Sequence, residues 1–185
     1  MQSSFKYAIL LAAFVSASPI SSRDDEEQSC MQKGMKASNW VVHNFDFHAS
    51  YTFTNPAHQN SWGYVNFTLE NPALDYRPVC SSSSNQLSDF YYGTAVYECD
   101  TPVEGDEATY TFSRPSGELQ VNQTWSCLSE GGYIQAQGGV TLHLNCSDST
   151  WQNPDWEEGQ LYSVRTVNCS HVTAKTPIKS IQAAL

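Results

Sequence analysis

From Val65 to Leu69, the apolar side chains Val65, Phe67 and Leu69 alternate with Asn66 and Thr68. That period of two places successive side chains on opposite faces of a β-strand. The same pattern recurs along the chain. Leu119, Val121, Trp125 and Cys127 oppose Gln120, Asn122, Thr124 and Ser126, while Val140, Leu142, Leu144 and Cys146 oppose Thr141, His143 and Asn145. Val41, His43, Phe45, Phe47, Tyr51 and Phe53 are expected on one face, with Asn44, Asp46, His48, Ser50 and Thr52 on the other. Ala108, Tyr110 and Phe112 alternate with threonines, and residues 90–98 and 160–167 supply two further expected strands. Pro115-Ser116-Gly117 makes a turn, Gly131-Gly132 and Gly138-Gly139 punctuate the elements, and Ser81–Ser84 reads as a loop. No segment has a helical period. The expected fold is therefore all-β: a single compact antiparallel β-barrel or β-sandwich.

The ends of the chain are built differently. Lys6 precedes the apolar run Tyr7–Val15, and Ser16, Ala17 and Ser18 are small. This is the layout of a secretory signal over residues 1–17, cleaved near Ala17–Ser18, and it is too short for a permanent membrane anchor. Residues 18–36 include Ser-Ser-Arg-Asp-Asp-Glu-Glu-Gln and are expected to be a disordered polar arm or propeptide. The all-β domain is expected over 37–170, and residues 171–185 as a tail with one late strand and a frayed end. No later stretch is apolar enough to cross a bilayer, so the expected location is secreted, extracellular and soluble.

The net charge of −10 argues against nucleic acid and against anionic membrane surfaces, both of which select Lys and Arg. In an exported chain the six cysteines imply disulfide staples. None has CxxC spacing and no histidine cluster accompanies them, so no metal or cofactor is expected. Cys127 and Cys146 both point inward by alternation and are expected to bond across the core. Cys80 and Cys99 bracket one strand and its loop as a second bridge, each closure being worth about 3 kcal/mol. Cys30 and Cys169 remain: either they tie the arm to the last strand, or one bonds a second chain as a homodimer. Four sequons, at Asn66, Asn122, Asn145 and Asn168, fit N-glycosylation, and alternation puts all four on wet faces. At Asn145 and Asn168 the middle residue is cysteine, whose oxidation hinders modification.

Trp40-Val-Val-His-Asn-Phe45, Val65-Asn-Phe-Thr-Leu-Glu-Asn-Pro72, the Cys80/Cys99 pair, Leu119-Gln-Val-Asn-Gln-Thr-Trp-Ser-Cys127 and the Cys127/Cys146 pair together carry a family likeness. From Trp40 to Cys146 the chain resembles the Alternaria major-allergen-like family of fungal secreted proteins. The resemblance implies a compact β-barrel-like fold with two intradomain disulfides and fungal secretion. It also implies allergen- or elicitor-like behaviour at plant surfaces and no settled enzymatic activity. Family members can dimerise through an N-terminal cysteine, which Cys30 matches by position. Cys169 departs from the family pattern and favours an intrachain Cys30–Cys169 bond here.

No catalytic motif emerges. Asp46 and His48 share a polar face but have no nucleophile elbow near them, and His43 reads as a partly buried core histidine. Asp155, Glu157 and Glu158 surround Trp156, and a carboxylate pair beside aromatics is glycosidase chemistry. Loop anchoring is the plainer reading of that segment. Trp62 and Tyr64 share the outward face of Asn66. With Trp151, Trp156 and Tyr162 they are the candidate binding residues. Two functions follow. One is a non-enzymatic effector or elicitor that binds a host extracellular protein or small ligand. The other is a cell-wall glycan-binding module using exposed aromatics.

Overall fold

The computed structural model describes residues 28–85 and 90–184. The expected signal segment and its cleavage point lie outside them. The strands, in chain order, are β1 (Asn39–Asn55), β2 (His58–Glu70), β3 (Val79–Ser84), β4 (Tyr97–Asp100), β5 (Glu107–Ser113), β6 (Glu118–Cys127), β7 (Gly132–Thr141), β8 (Cys146–Gln152), β9 (Ser163–Cys169) and β10 (Val172–Ala184). β1 to β7 pair with their chain neighbours, all antiparallel. β10 then pairs with β7 through Ile178–Ala184 and with β1 through Val172–Pro177. That closes the sheet into a barrel and removes two free edges. β8 and β9 form a hairpin outside the ring, with β9 paired to the second half of β1.

One residue lets β1 serve three neighbours. Between His43 and Asp46 the register with β2 shifts, and Asn44 sits at φ 53°, in the left-handed region that asparagine tolerates. Two residues of β1 there face one of β2, a β-bulge, and the inward parity reverses. Trp40 and Val42 point inward before the bulge; Phe45, Phe47, Ala49 and Tyr51 do so after it. The expectation that Val41 and His43 share a face with Phe45 is therefore corrected. His43 points outward, its Nε2 lying 2.6 Å from Glu70 Oε2, and is no core histidine.

The barrel interior is filled rather than open. Phe45 packs on Phe67 and Phe112, Phe47 on Tyr91, and Phe67 on Tyr110. Ser82 reaches the hydroxyls of Tyr91 and Tyr110 from β3, so Ser81–Ser84 is a strand and not the expected loop. Burial pushes the Tyr91 phenol up to about 12 and the Tyr110 phenol further. Phe90 and Tyr91 are buried, but of the strand expected over 90–98 only its end, from Tyr97, pairs as β4.

Three disulfides hold this fold: Cys80–Cys99, Cys30–Cys127 and Cys146–Cys169. The expected Cys80–Cys99 bridge joins directly paired positions of β3 and β4. The other two expected pairings, Cys127–Cys146 and Cys30–Cys169, are corrected. β7 ends at Thr141, and residues 142–145 leave the barrel, with Leu142 N–H donating to Gly117 O. Cys146 thus begins β8 on the outer hairpin, exposed and opposite Cys169. Cys127, buried at the end of β6, instead meets Cys30 on the helix α1 (Cys30–Met35). This helix corrects the expectation of an unstructured arm through residue 36. Ser29 caps it reciprocally with Gln32, and the Glu130 carboxylate accepts from Ser29 Oγ and Met31 N–H. The late strand expected after residue 170 is present as β10, which occupies 172–184 and leaves no frayed end among the described residues.

A buried polar junction crosses the barrel end. Gln123 Oε1 accepts from Trp40 Nε1 and Asn71 Nδ2, both at 2.8 Å. Replacing Gln123 by Leu leaves two buried donors unpaired, at about 1–3 kcal/mol each. Part of this is offset, because Gln123 Nε2 is itself unpaired among the described residues. We expect Gln123→Leu to lower the melting temperature by about 4–8 °C, the equivalent of about 2 kcal/mol. An unchanged thermal transition measured by circular dichroism would show that the junction contributes nothing net.

Candidate functional site

Cross-strand partners in an antiparallel sheet present their side chains on the same face. Following the register outward from β2 therefore assembles one surface over β3, β2, β1, β9 and β8. Tyr64 stands beside His48, His48 beside Asn168, and Asn168 beside Ser147. In the next row come Trp62, Ser50, Thr166 and Ser149; in the one after, Asn60, Thr52, Val164 and Trp151. Trp62 and Trp151 are 47% and 51% exposed. They stand three strands apart, roughly 14 Å across the sheet at strand spacing. Between them lie hydroxyls and carboxamides.

Around Tyr64 the rings pack on one another. His48 lies parallel to Tyr64, centroids 5.3 Å apart and 9° between planes, and Trp62 meets both edge-on at 5.9 and 5.6 Å. The Tyr64 phenol is raised, first by burial and then by the Asp46 carboxylate to which it hydrogen-bonds. Asp46 Oδ1 also lies 3.6 Å from His171 Nε2. The sequence pairing of Asp46 with His48 is thus replaced by Asp46 with Tyr64 and His48 with the aromatic rings. His48 is the member of this surface that the sequence reading missed. Alternation placed it correctly, but its proximity to Asp46 drew attention to charge.

Trp156 and Tyr162 lie elsewhere, in the turn between β8 and β9. Their rings meet edge-on at 5.7 Å, Trp156 Nε1 donates to Gln160 O at 2.9 Å, and Tyr162 Oη accepts from Gln152 Nε2. Asn153 and Gln160 side chains bind the same turn together. These two aromatics anchor the loop, and Trp156 also walls a cleft of ≈ 610 Å³ with Thr54, Asn55, Glu158 and Leu161. Asp155, Glu157 and Glu158 are all exposed on that loop. Of the three, Glu158 lines the cleft beside Trp156.

The inward face of the hairpin is cationic and capped. Arg165 lies over the Tyr51 ring and pairs with Asp148, whose carboxyl it holds below the ordinary range. Arg114 is stacked among Tyr51, Phe90 and Tyr92, and burial lowers its guanidinium pKa. Among the described residues, one grouping has the ligand types and spacing for a metal: Cys30, Cys127 and Glu130. Its two sulfurs are bonded to each other and its carboxylate is occupied by α1. All four sequon asparagines are exposed. No helix among the described residues is long and apolar enough to cross a membrane.

Comparison with known proteins gives one match. The model of a family described as Alternaria alternata allergen 1 fits residues 42–169. No curated protein matches the chain, and neither does any solved structure.

Proposed function

Because the chain belongs to the Alternaria alternata allergen 1 family, we propose that it is a secreted, non-enzymatic effector or elicitor that acts by binding a cell-wall glycan. The observation that carries this reading is the outer face of β3-β2-β1-β9-β8. Two half-exposed tryptophans and a tyrosine rise there from a surface of Ser, Thr and Asn. Indole and phenol rings stack on the apolar faces of sugars, and the intervening hydroxyls and amides match sugar hydroxyls. A separation of three strands suits an oligosaccharide held at two points.

Retention on insoluble chitin and β-glucan tests this, using glycan-trimmed protein. Trp62→Ala and Trp151→Ala are each expected to weaken retention about tenfold, the equivalent of ~1.4 kcal/mol for one lost ring contact. Trp156→Ala, which unseats the turn but not the face, should leave retention near wild type. Retention indifferent to both Trp62 and Trp151 sinks the glycan reading.

A second reading, a host extracellular protein as partner, is favoured by β8. This seven-residue edge strand is exposed along its whole length and offers backbone donors and acceptors to an incoming strand. On that reading Thr150→Pro abolishes cell death after leaf infiltration while Trp151→Ala does not. A small ligand has surface clefts available rather than a barrel interior, which the aromatic rings fill.

A further inference from the structure

We propose that Asn66 carries an N-linked glycan whose first N-acetylglucosamine packs on Tyr64, so that the aromatic cluster is partly covered by the protein's own sugar. Strand β2 turns Tyr64, Asn66 and Thr68 outward at successive alternate positions. The ring thus stands two residues before the acceptor, and the sequon hydroxyl two after it. Asn66 Oδ1 is held by Ser81 Oγ at 2.6 Å, leaving Nδ2, the attachment atom, free to project. Tyr64 is in turn fixed by His48 stacked on its side and by its bond to Asp46, so a sugar meets a ring already in place.

The other sequons lack this combination. Around Asn122 on β6 the outward neighbours are Gln120, Thr124, Thr109 and Gln137, none aromatic. Asn145 and Asn168 each precede one cysteine of the same disulfide.

In the transfer, Asn66 Nδ2 bonds to C1 of the sugar as the C1–O bond to a lipid-diphosphate oligosaccharide donor breaks. The amide proton leaves with the lipid diphosphate. The glycan then occupies the Tyr64 end of the outer face and leaves Trp62 and Trp151 for any external partner. This assignment stands whether or not the partner is a glycan.

The test is a coupling experiment on the full chain secreted from yeast. Mass spectrometry of glycopeptides is expected to find Asn66 occupied. Asn66→Gln is expected to lower the melting temperature by about 2–4 °C in the wild-type background and to have no effect in Tyr64→Ser. Trimming to a single N-acetylglucosamine should preserve the gain. If Tyr64→Ser is not secreted, Tyr64→Leu removes the ring while keeping its bulk. In unmutated protein, the acetyl methyl protons of the first sugar should show an upfield ring-current shift. An unmodified Asn66, an equal loss in both backgrounds, or an unshifted acetyl methyl overturns the proposal. None of these readouts depends on polysaccharide binding.

Discussion

A chain truncated after Ser170 is expected to accumulate as aggregate instead of being secreted as a monomer. The family match ends at residue 169, yet the strand that closes the barrel is the next one. Removing β10 bares β7 over Tyr133–Gly138 and β1 over Asn39–Phe45, two edges with free backbone donors and acceptors. It also takes Val172, Ala174, Ile178 and Ile181 from the flank of the core and uncovers the wall around Trp40, whose partner Thr176 is fully buried. Burying aliphatic side chains of this size is worth about 1.5–3 kcal/mol each when complete, and these are partly buried. Their sum, with the lost ladder, is comparable to the whole 5–15 kcal/mol by which domains are stable. Ile178→Asp should reproduce most of the defect without shortening the chain. Size-exclusion chromatography of the secreted fraction decides: a monomeric truncated product with a native melting temperature would show that closure by β10 is dispensable.

The same strand shows why part of the fold was hidden in the sequence. β10 covers the core with Val172, Ala174 and Thr176, a weakly apolar set, then passes Pro177 and a register shift between Ile178 and Ser180. Proline argues against a central strand. Here it falls where β10 leaves β1 for β7, the last position paired with Asn39. β1 was misread at its start for a related reason, since the Asn44 bulge reverses parity and a strict period of two cannot survive it. Where no bulge intervenes, as in β2, β5 and β6, alternation assigned the faces correctly.

The candidate surface divides in the same way. That Trp62 and Tyr64 look outward is local information carried by their own strand. That Trp151 joins them, while Trp156 and Tyr162 do not, depends on β9 pairing with the far half of β1 and on β8 pairing with β9. Those are long-range registers, which no window of sequence contains. Cys80–Cys99, bracketing one local strand, was legible, and the other two pairings failed for the same long-range reason. Inward parity at Cys127 was right, but a partner 97 residues earlier, on a six-residue helix, left no periodic trace.

Replacing Cys30 and Cys127 together by Ser and Ala is expected to lower the melting temperature by about 10–15 °C. The bridge spans 97 residues and closes a loop running from α1 to the end of β6. In the chain-entropy account, which is model-dependent, a loop of about 100 residues is worth about 4.7 kcal/mol, against about 3 for a loop near 15. Apart from this bond, α1 is seated by the Glu130 carboxylate, by Met31 packed against the core and by Gly34 beneath Ile134 and Trp125. Removing Cys146 and Cys169 should act differently. That bridge joins two strands outside the ring, so faster hydrogen exchange over residues 146–169 is expected with the barrel transition nearly kept. With Cys30 engaged inside its own chain, the non-reduced protein is expected to run as a monomer, and its peptide map to link Cys30 with Cys127. A peptide joining Cys127 to Cys146, or a dimer that only reductant dissolves, would contradict this arrangement of the chain.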